Sequence, residues 1–305
     1  MTRRGCRMVE NVRGRSRIAV RPVAIWRPAL RWLLGLAAMV VVTSAAVAGA
    51  PVHRVGPRVG ALLLMGGGDV TPEIAQRFVA LAGGRRGHFV YIPTAAPDEE
   101  IVPADLAAWF RTTFGVEDVT ILHTRDRAQA DTTAFAAPLE TATGVWFGGG
   151  RQWRIADAYL GTRVESALFG VLRRHGIVAG TSAGASILAS YLIRGAPEGN
   201  WILSAPGHER GFGLLPSAAV DQHVDRYRRE TDIEPVLRSH RDLLGIGLDE
   251  ATAITVVDGV CTVLGVGRVI LHDGKPHGAR AYAVLRAGDR FDLATSTVSR
   301  RGDPE

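Results

Sequence analysis

From residue 59 onward, short apolar runs alternate with longer stretches in which apolar residues recur every three or four positions. The short runs are bounded by glycine or proline and are rich in β-branched or aromatic residues, which predicts strands at 60–65, 88–92, 118–122, 144–147 and 176–179. The longer stretches predict amphipathic helices at 72–82, 101–114, 152–160 and 164–174. This alternation is typical of an α/β domain with a mostly parallel sheet.

The pattern changes after residue 244. Three apolar runs, at 253–257, 260–264 and 269–271, are separated by the turn signals Asp258-Gly259 and Asp273-Gly274. Such spacing predicts antiparallel hairpins, which we place at one edge of the sheet near the C-terminus of the chain. The domain is therefore predicted to span 59–295, followed by a polar tail at 296–305.

The N-terminal segment is different in character. An uncharged apolar run at 32–48 follows a basic stretch and ends in Ala46-Val47-Ala48, a small-x-small cleavage pattern. We predict a signal peptide at 1–48 that is removed after Ala48, a linker at 49–58, and export to the periplasm or the extracellular space. Retention of the segment as an uncleaved N-terminal membrane anchor is the alternative.

The charge distribution argues against a nucleic-acid-binding protein, and the cysteine content argues against a disulfide-stabilised one. The chain carries a net charge of +6, but residues 1–48 hold nine arginines and one acid, or +8, which leaves −2 for residues 49–305. A slightly acidic body gives no electrostatic reason to bind nucleic acid. Only Cys261 lies beyond the leader, in an apolar run, so we expect a buried thiol and no disulfide framework.

The most specific local feature is Gly180-Thr-Ser-Ala-Gly184. It follows a buried strand and opens an apolar helix, which is the arrangement of a nucleophile elbow. Ser182 would then sit at a helix N-terminus, where free N–H groups stabilise an oxyanion. The alternative is a glycine-rich turn whose serine only caps the helix.

A serine nucleophile needs a base and an acid that orients the base. His223 ends the polar cluster Asp221-Gln222-His223 after an apolar run, and Glu250 follows Asp249 in a segment that is otherwise small and apolar. We predict His223 as the base and Glu250 as the acid, with Asp249 as the rival for the second role. The histidines and cysteines show no spacing typical of a metal site, so no metal or organic cofactor is expected.

Six motifs in this order resemble the cyanophycinase and aspartyl dipeptidase family of serine peptidases. They are 66–69, 92–95, 147–152, 180–185, 221–223 and 245–251. The resemblance implies a three-layer α/β sandwich of the class I glutamine amidotransferase-like fold. It also implies a triad of Ser182, His223 and Glu250, and an oxyanion hole from Gly149 or Gly150 together with Ala183. It assigns the binding of the aspartyl part of the substrate to Gln152, Asp221 and Gln222.

The chain departs from the family pattern at several positions. Arg151 stands where an aspartate or asparagine is usual. Of the three positions at which the family has arginine, this chain keeps Arg229 and has Tyr227 and Asp232 at the other two. Arg226 and Arg228 are candidates to replace the missing arginines by proximity, and we expect Arg226 and Arg229 to bind the substrate. Specificity for β-aspartyl-arginine does not follow from the resemblance.

The function that follows is an exported serine exopeptidase that cleaves peptide or isopeptide bonds next to an aspartyl residue through an acyl-enzyme. The alternatives are an esterase or amidase with the same triad, or a non-catalytic binding protein that kept the pocket. The expected partner is a small peptide or isopeptide. A homodimer is compatible with the family.

Overall fold

The computed structural model describes residues 56–303, and a nine-stranded sheet forms their centre. Its parallel part contains the five predicted strands, numbered along the chain as β1 (Ala61–Met65), β2 (Phe89–Ile92), β3 (Val119–Ile121), β4 (Gly144–Phe147) and β5 (Ile177–Thr181). Its antiparallel part contains β9 (Thr252–Val257), β10 (Val260–Gly265), β13 (Arg290–Asp292) and β14 (Thr297–Ser299). The strand order is β14-β13-β10-β9-β1-β5-β4-β2-β3, which confirms the α/β class with a parallel core.

A second, five-stranded sheet was not predicted. It comprises β6 (Ala189–Tyr191), β7 (Leu215–Asp221), β8 (Leu244–Leu248), β11 (Val269–His272) and β12 (Ala283–Leu285), in the order β12-β11-β8-β7-β6. The hairpin of β9 and β10 is as expected, but β11 pairs with β8 rather than extending the edge of the main sheet. Both β8 and β11 are fully buried. A strand at the edge of the main sheet would have a neighbouring strand on one side only, whereas in the second sheet each of these two strands has a neighbour on both sides.

Nine α-helices and one short 3₁₀ helix (Asp98–Glu100) complete the described part of the chain. The α-helices are α1 (Pro72–Leu81), α2 (Pro103–Phe114), α3 (Arg127–Ala130), α4 (Thr133–Thr141), α5 (Gln152–Tyr159), α6 (Arg163–Arg173), α7 (Ala183–Ser186), α8 (Val224–Tyr227) and α9 (Glu234–Ser239). None of these helices, within residues 56–303, is long and apolar enough to cross a bilayer.

Packing on the two faces of the main sheet gives the three layers. Successive residues of a strand point to opposite faces, and in β1 Leu63 belongs to the core beneath α1 and α2. Its neighbours Leu62 and Leu64 belong to the larger core on the other face, which α5, α6 and the second sheet share. This arrangement agrees with the predicted three-layer sandwich.

The two ends of the predicted domain differ in what the structure describes. The predicted leader and the linker up to residue 55 lie outside the described residues. At the C-terminus, residues 297–299 of the predicted polar tail form β14, which pairs with β13 along Arg290 to Asp292. Val298 packs against the large core, and this contact stabilises the short strand at the edge of the sheet.

Cys261 lies in β10 and is buried, as expected. Burial, with the nearby Asp292 carboxylate, raises the pKa of its thiol to about 12. The thiolate is the reactive form of cysteine, so this side chain is chemically inert in the folded protein.

Strand ends converge at one edge of the molecule. In open parallel sheets the crevice at the carboxyl ends of the strands is the usual place for a site. Here β1 and β4 flank β5, so the loops that follow Met65, Phe147 and Thr181 are neighbours. In the second sheet β7 and β8 are parallel neighbours whose carboxyl ends are in register at Asp221 and Gly247.

Candidate active site

Ser182 lies between β5 and α7 in a strained backbone conformation. Its φ is 54° and its ψ is −117°, a region that non-glycine residues rarely adopt. The turn requires small neighbours, since a side chain at Gly180 would overlap the carbonyl of Gly184. The predicted strand, sharp turn and helix are therefore all present, and the serine side chain is left partly exposed at the turn.

His223 follows β7 and also has a positive φ, 54°, immediately before α8. The left-handed conformation turns the chain sharply and brings the imidazole over the elbow. Its Nε2 lies 2.9 Å from Oγ of Ser182, a hydrogen-bond distance.

Glu250 completes a continuous chain of hydrogen bonds. Its Oε1 lies 2.6 Å from Nδ1 of His223 and also accepts a bond of 3.2 Å from Nη1 of Arg226. The hydrogen bond from His223, reinforced by that from Arg226, holds the pKa of Glu250 below its ordinary value. A carboxylate in this position favours the tautomer with a proton on Nδ1, which leaves Nε2 free to accept the serine proton.

Asp249, the rival acid, is directed elsewhere. It is buried, and its Oδ2 accepts bonds of 2.8 Å from both the backbone N–H and Nε of Arg268. Because successive residues point to opposite sides of an extended segment, only one of the two acids can face His223. The structure brings Glu250, and not Asp249, to the histidine.

Three consecutive carbonyls at the end of β1 hold the three segments together. The carbonyl of Met65 accepts the N–H of Ser182 at 2.9 Å, and that of Gly66 accepts the N–H of His223 at 2.9 Å. The carbonyl of Gly67 accepts the N–H of Ala251 at 2.8 Å, one residue beyond the acid. The glycine-rich loop after β1 is therefore the common support of the serine, the histidine and the glutamate.

Gly67 has a further role in the same loop. Its φ is 117°, and a Cβ built on it would lie within 2.7 Å of both ring nitrogens of His223 and closer still to Cε1. The imidazole occupies the space that any side chain at Gly67 would need. The sequence showed the run of glycines at 66–68, but not that the histidine would fill this space, because the contact joins segments more than 150 residues apart.

Backbone N–H groups lie next to the serine. A Cβ at Gly149 would be 3.5 Å from Cβ of Ser182, and Ala183 follows the serine directly. Within residues 56–303 the N–H groups of Gly149, Gly150 and Ala183 donate no backbone hydrogen bond, so they are available to an oxyanion. Gly150 has a φ of 136° and packs against the carbonyl of Ala95, where a side chain would not fit.

Two of the predicted substrate-binding residues have protein partners. Gln152 is buried, and its Nε2 donates a bond of 3.0 Å to the carbonyl of Ile193. Asp221 is buried too, and both its oxygens accept bonds of 2.9 Å from Arg194. The carboxylate of Asp221 is therefore neutralised within the protein, which leaves it little capacity to bind a cation of the substrate.

Arg194 was not anticipated from the sequence. Its Nη2 also contacts Oδ2 of Asp232 at 2.9 Å, and only 3% of its side chain is exposed. Burial disfavours the cation, yet hydrogen bonds from Asp221 and Asp232 raise the pKa of Arg194 above its ordinary value. Nothing in the local sequence distinguishes a buried arginine in a loop from a solvated one, so no signal could have identified it.

The remaining predicted residues divide into two kinds. Gln222 is 4% exposed, and among the described residues its Oε1 finds no hydrogen-bond partner. The guanidinium of Arg229 is buried against the ring of Tyr227, 4.3 Å from the ring centre. The nearest carboxylate oxygen to Arg229, on Asp232, is 4.0 Å away. Arg226, by contrast, bonds to Glu250 instead of lying free for a substrate, since position i+3 of a helical turn returns to the side of His223.

Metal ligands do not cluster in the described part of the chain. Among residues 56–303 no three histidine, cysteine, aspartate or glutamate side chains are arranged to hold a metal ion. The chemistry available at the site is that of a serine, an imidazole, a carboxylate and backbone N–H groups.

Comparisons with known proteins identify the family of the chain. The profile of peptidase family S51 matches residues 62–264. The cyanophycinase of Trichormus variabilis is 32% identical over 260 residues, which cover 78% of this chain and 87% of that protein. The cyanophycinase of Geminocystis herdmanii is 30% identical over 231 residues, covering 72% and 82% of the two chains.

Two solved structures share the fold. A peptidase from an acI-B1 actinobacterium superposes with a TM-score of 0.62 at 24% identity, covering 78% of this chain and 98% of that one. A putative peptidase E from Listeria monocytogenes superposes with a TM-score of 0.50 at 14% identity, covering 68% and 100%. The match of the family profile to two thirds of the chain, together with these relatives, means that the protein belongs to peptidase family S51 and is a serine-type peptidase.

Proposed function

We propose that the protein is an exopeptidase that uses Ser182, His223 and Glu250 as a Ser-His-Glu triad and cleaves the bond next to an aspartyl residue. The observation that carries the proposal is the unbroken chain of hydrogen bonds from Oε1 of Glu250 through the imidazole to Oγ of Ser182. The sequence relatives named cyanophycinase support a peptide or isopeptide of aspartate as the substrate.

The chemical steps follow from this arrangement. Nε2 of His223 takes the proton of Ser182 as Oγ attacks the substrate carbonyl carbon, and Glu250 stabilises the imidazolium that forms. The N–H groups of Gly149 and Ala183 stabilise the negative charge that develops on the carbonyl oxygen. His223 then gives its proton to the leaving amine, and water, activated by the same imidazole, hydrolyses the acyl-enzyme.

Two under-satisfied groups support recognition of the aspartyl part. Burial, followed by the nearby Arg194, lowers the pKa of the Arg229 guanidinium, whose charge lacks a close carboxylate. A substrate carboxylate would compensate that charge, and a substrate N–H would satisfy Oε1 of Gln222. With Asp221 already paired to Arg194, we assign recognition to Arg229, Gln222 and Gln152.

Hydrolysis of a small panel of substrates tests the proposal. Wild-type protein, Ser182→Ala and the surface control Ser239→Ala would be assayed on α- and β-aspartyl dipeptides, cyanophycin and a simple ester. We expect turnover of at least one aspartyl substrate by the wild type and the control, and a loss of at least about 10³-fold in Ser182→Ala. Turnover of the ester alone would favour an esterase instead, and binding of dipeptides without any turnover would favour a non-catalytic binding protein.

We also propose export of the protein, on the basis of the basic and apolar segment at 1–48. The N-terminal sequence of the protein recovered from a secreting host tests this point. A mature chain that starts at Gly49 is expected, whereas recovery of the intact segment in the membrane fraction would indicate an anchor.

A further inference from the structure

The short turn that begins at His223 also contacts Glu250, the acid that orients this histidine. Within α8, Oδ1 of Asp225 accepts the backbone N–H of Glu250 at 2.9 Å. Nη1 of Arg226 donates to Oε1 of Glu250 at 3.2 Å, the same oxygen that His223 contacts at 2.6 Å. We propose that Arg226 is a positioning residue that, together with Asp225, holds Glu250 in register with His223; the inference rests on the proposed triad.

Glu250 needs such support because few other contacts restrain its side chain. It lies in the turn between β8 and β9, 26% of its side chain is exposed, and within residues 56–303 its Oε2 accepts no hydrogen bond from the protein. A glutamate side chain has three torsions, so a single contact with an imidazole does not fix its rotamer. Asp225 restrains the backbone of Glu250 and Arg226 restrains its carboxylate, which closes a ring of contacts with the histidine.

The guanidinium of Arg226 and the imidazole contact the same oxygen of Glu250, so the two contacts together fix the orientation of the carboxylate. The other charged groups nearby are Asp225 on α8 and Glu250 itself, while Asp249 is turned to Arg268. Ser182 and Tyr227 contribute polar contacts, and the glycine segment 66–68 contributes no charged side chain.

Loss of the Arg226 contact is expected to slow the reaction of Ser182. Arg226→Gln removes the charge-assisted hydrogen bond to Oε1 of Glu250, so the carboxylate, and through it the imidazole, is held less firmly. Arg226→Lys keeps a cation that donates to the same oxygen and is expected to restore most of the wild-type rate. The exposed Arg241→Gln serves as the matched control.

Two readouts make the test decisive. The rate of fluorophosphonate labelling of Ser182 reports the activated serine without any peptide substrate, and steady-state kinetics on an aspartyl dipeptide separates kcat from KM. We expect Arg226→Gln to lower the labelling rate and kcat several-fold relative to Arg241→Gln, with KM and Tm unchanged. Arg226 is 61% exposed at its side chain, so its replacement is not expected to disturb folding.

Equal labelling rates in Arg226→Gln and Arg241→Gln would overturn the inference, as would a failure of Arg226→Lys to restore the wild-type rate. A fall in Tm that matches the loss of rate would also overturn it, because it would indicate a structural role. Because labelling needs no peptide substrate, it decides the inference even if no aspartyl substrate is cleaved. Labelling of Ser182 without turnover of any aspartyl substrate would count against the proposed function and not against the positioning role of Arg226.

Discussion

Gly67→Ala is expected to lower kcat/KM for an aspartyl dipeptide by about 10³-fold, because the new methyl group would occupy the space of the His223 ring. The imidazole would have to leave its position between Ser182 and Glu250, which removes the general base from the serine. The expected effect is as large as that of replacing the histidine itself, although Gly67 carries no reactive group. Steady-state kinetics on the purified variant measures it.

A matched control separates the lost space from backbone strain. Gly83 also has a positive φ, 87°, but a Cβ there would meet nothing within 4 Å. Gly83→Ala should therefore cost about 1 kcal/mol of stability and leave kcat/KM unchanged. If Gly67→Ala kept kcat/KM within tenfold of the wild type, the support that we assign to the loop after β1 would be wrong.

Arg194→Met is expected to lower the free energy of unfolding by about 3–5 kcal/mol, since it leaves the buried Asp221 carboxylate without its cationic partner. For a domain of this size the corresponding fall in Tm is about 10 °C. Thermal and denaturant unfolding of the purified variant would measure both. Activity should fall too, since Asp221 lies two residues before His223.

The double variant Arg194→Met/Asp221→Asn should be less destabilised than Arg194→Met, because no unpaired carboxylate remains buried at position 221. Arg238→Met, which removes a surface ion pair with Glu234, should change stability by less than about 0.5 kcal/mol. Equal losses for Arg194→Met and Arg238→Met would show that the buried pair does not contribute to stability as proposed.

Much of the fold followed from periodicity in the sequence. Four of the five parallel strands, β1, β2, β4 and β5, are buried runs between glycine or proline signals, and β3 is the partly exposed edge strand of the same sheet. The second sheet was missed because β8 and β11 are as apolar as edge hairpins would be, and their pairing depends on contacts about 25 residues apart. Local pattern does not encode which of two sheets a buried strand joins.

The reactive residues of the site could be predicted from the sequence, but several of their contacts could not. Ser182, His223 and Glu250 were identified because each interrupts an apolar or small-residue segment with a reactive group, and the structure brings the three together. Their catalytic roles remain predictions. The ion pair of Asp221 and the contact of Arg226 with Glu250 were not foreseen, since both depend on long-range geometry that residue type alone does not specify.

Labelling with a fluorophosphonate tests whether Ser182 is an activated nucleophile. We would measure the intact mass of the reacted wild type, Ser182→Ala and His223→Ala, and map the adduct by peptide mass spectrometry. We expect one adduct per chain, located on Ser182 and lost in both variants. A folded wild-type protein that forms no adduct, or that carries it on another residue, would show that Ser182 is not the nucleophile.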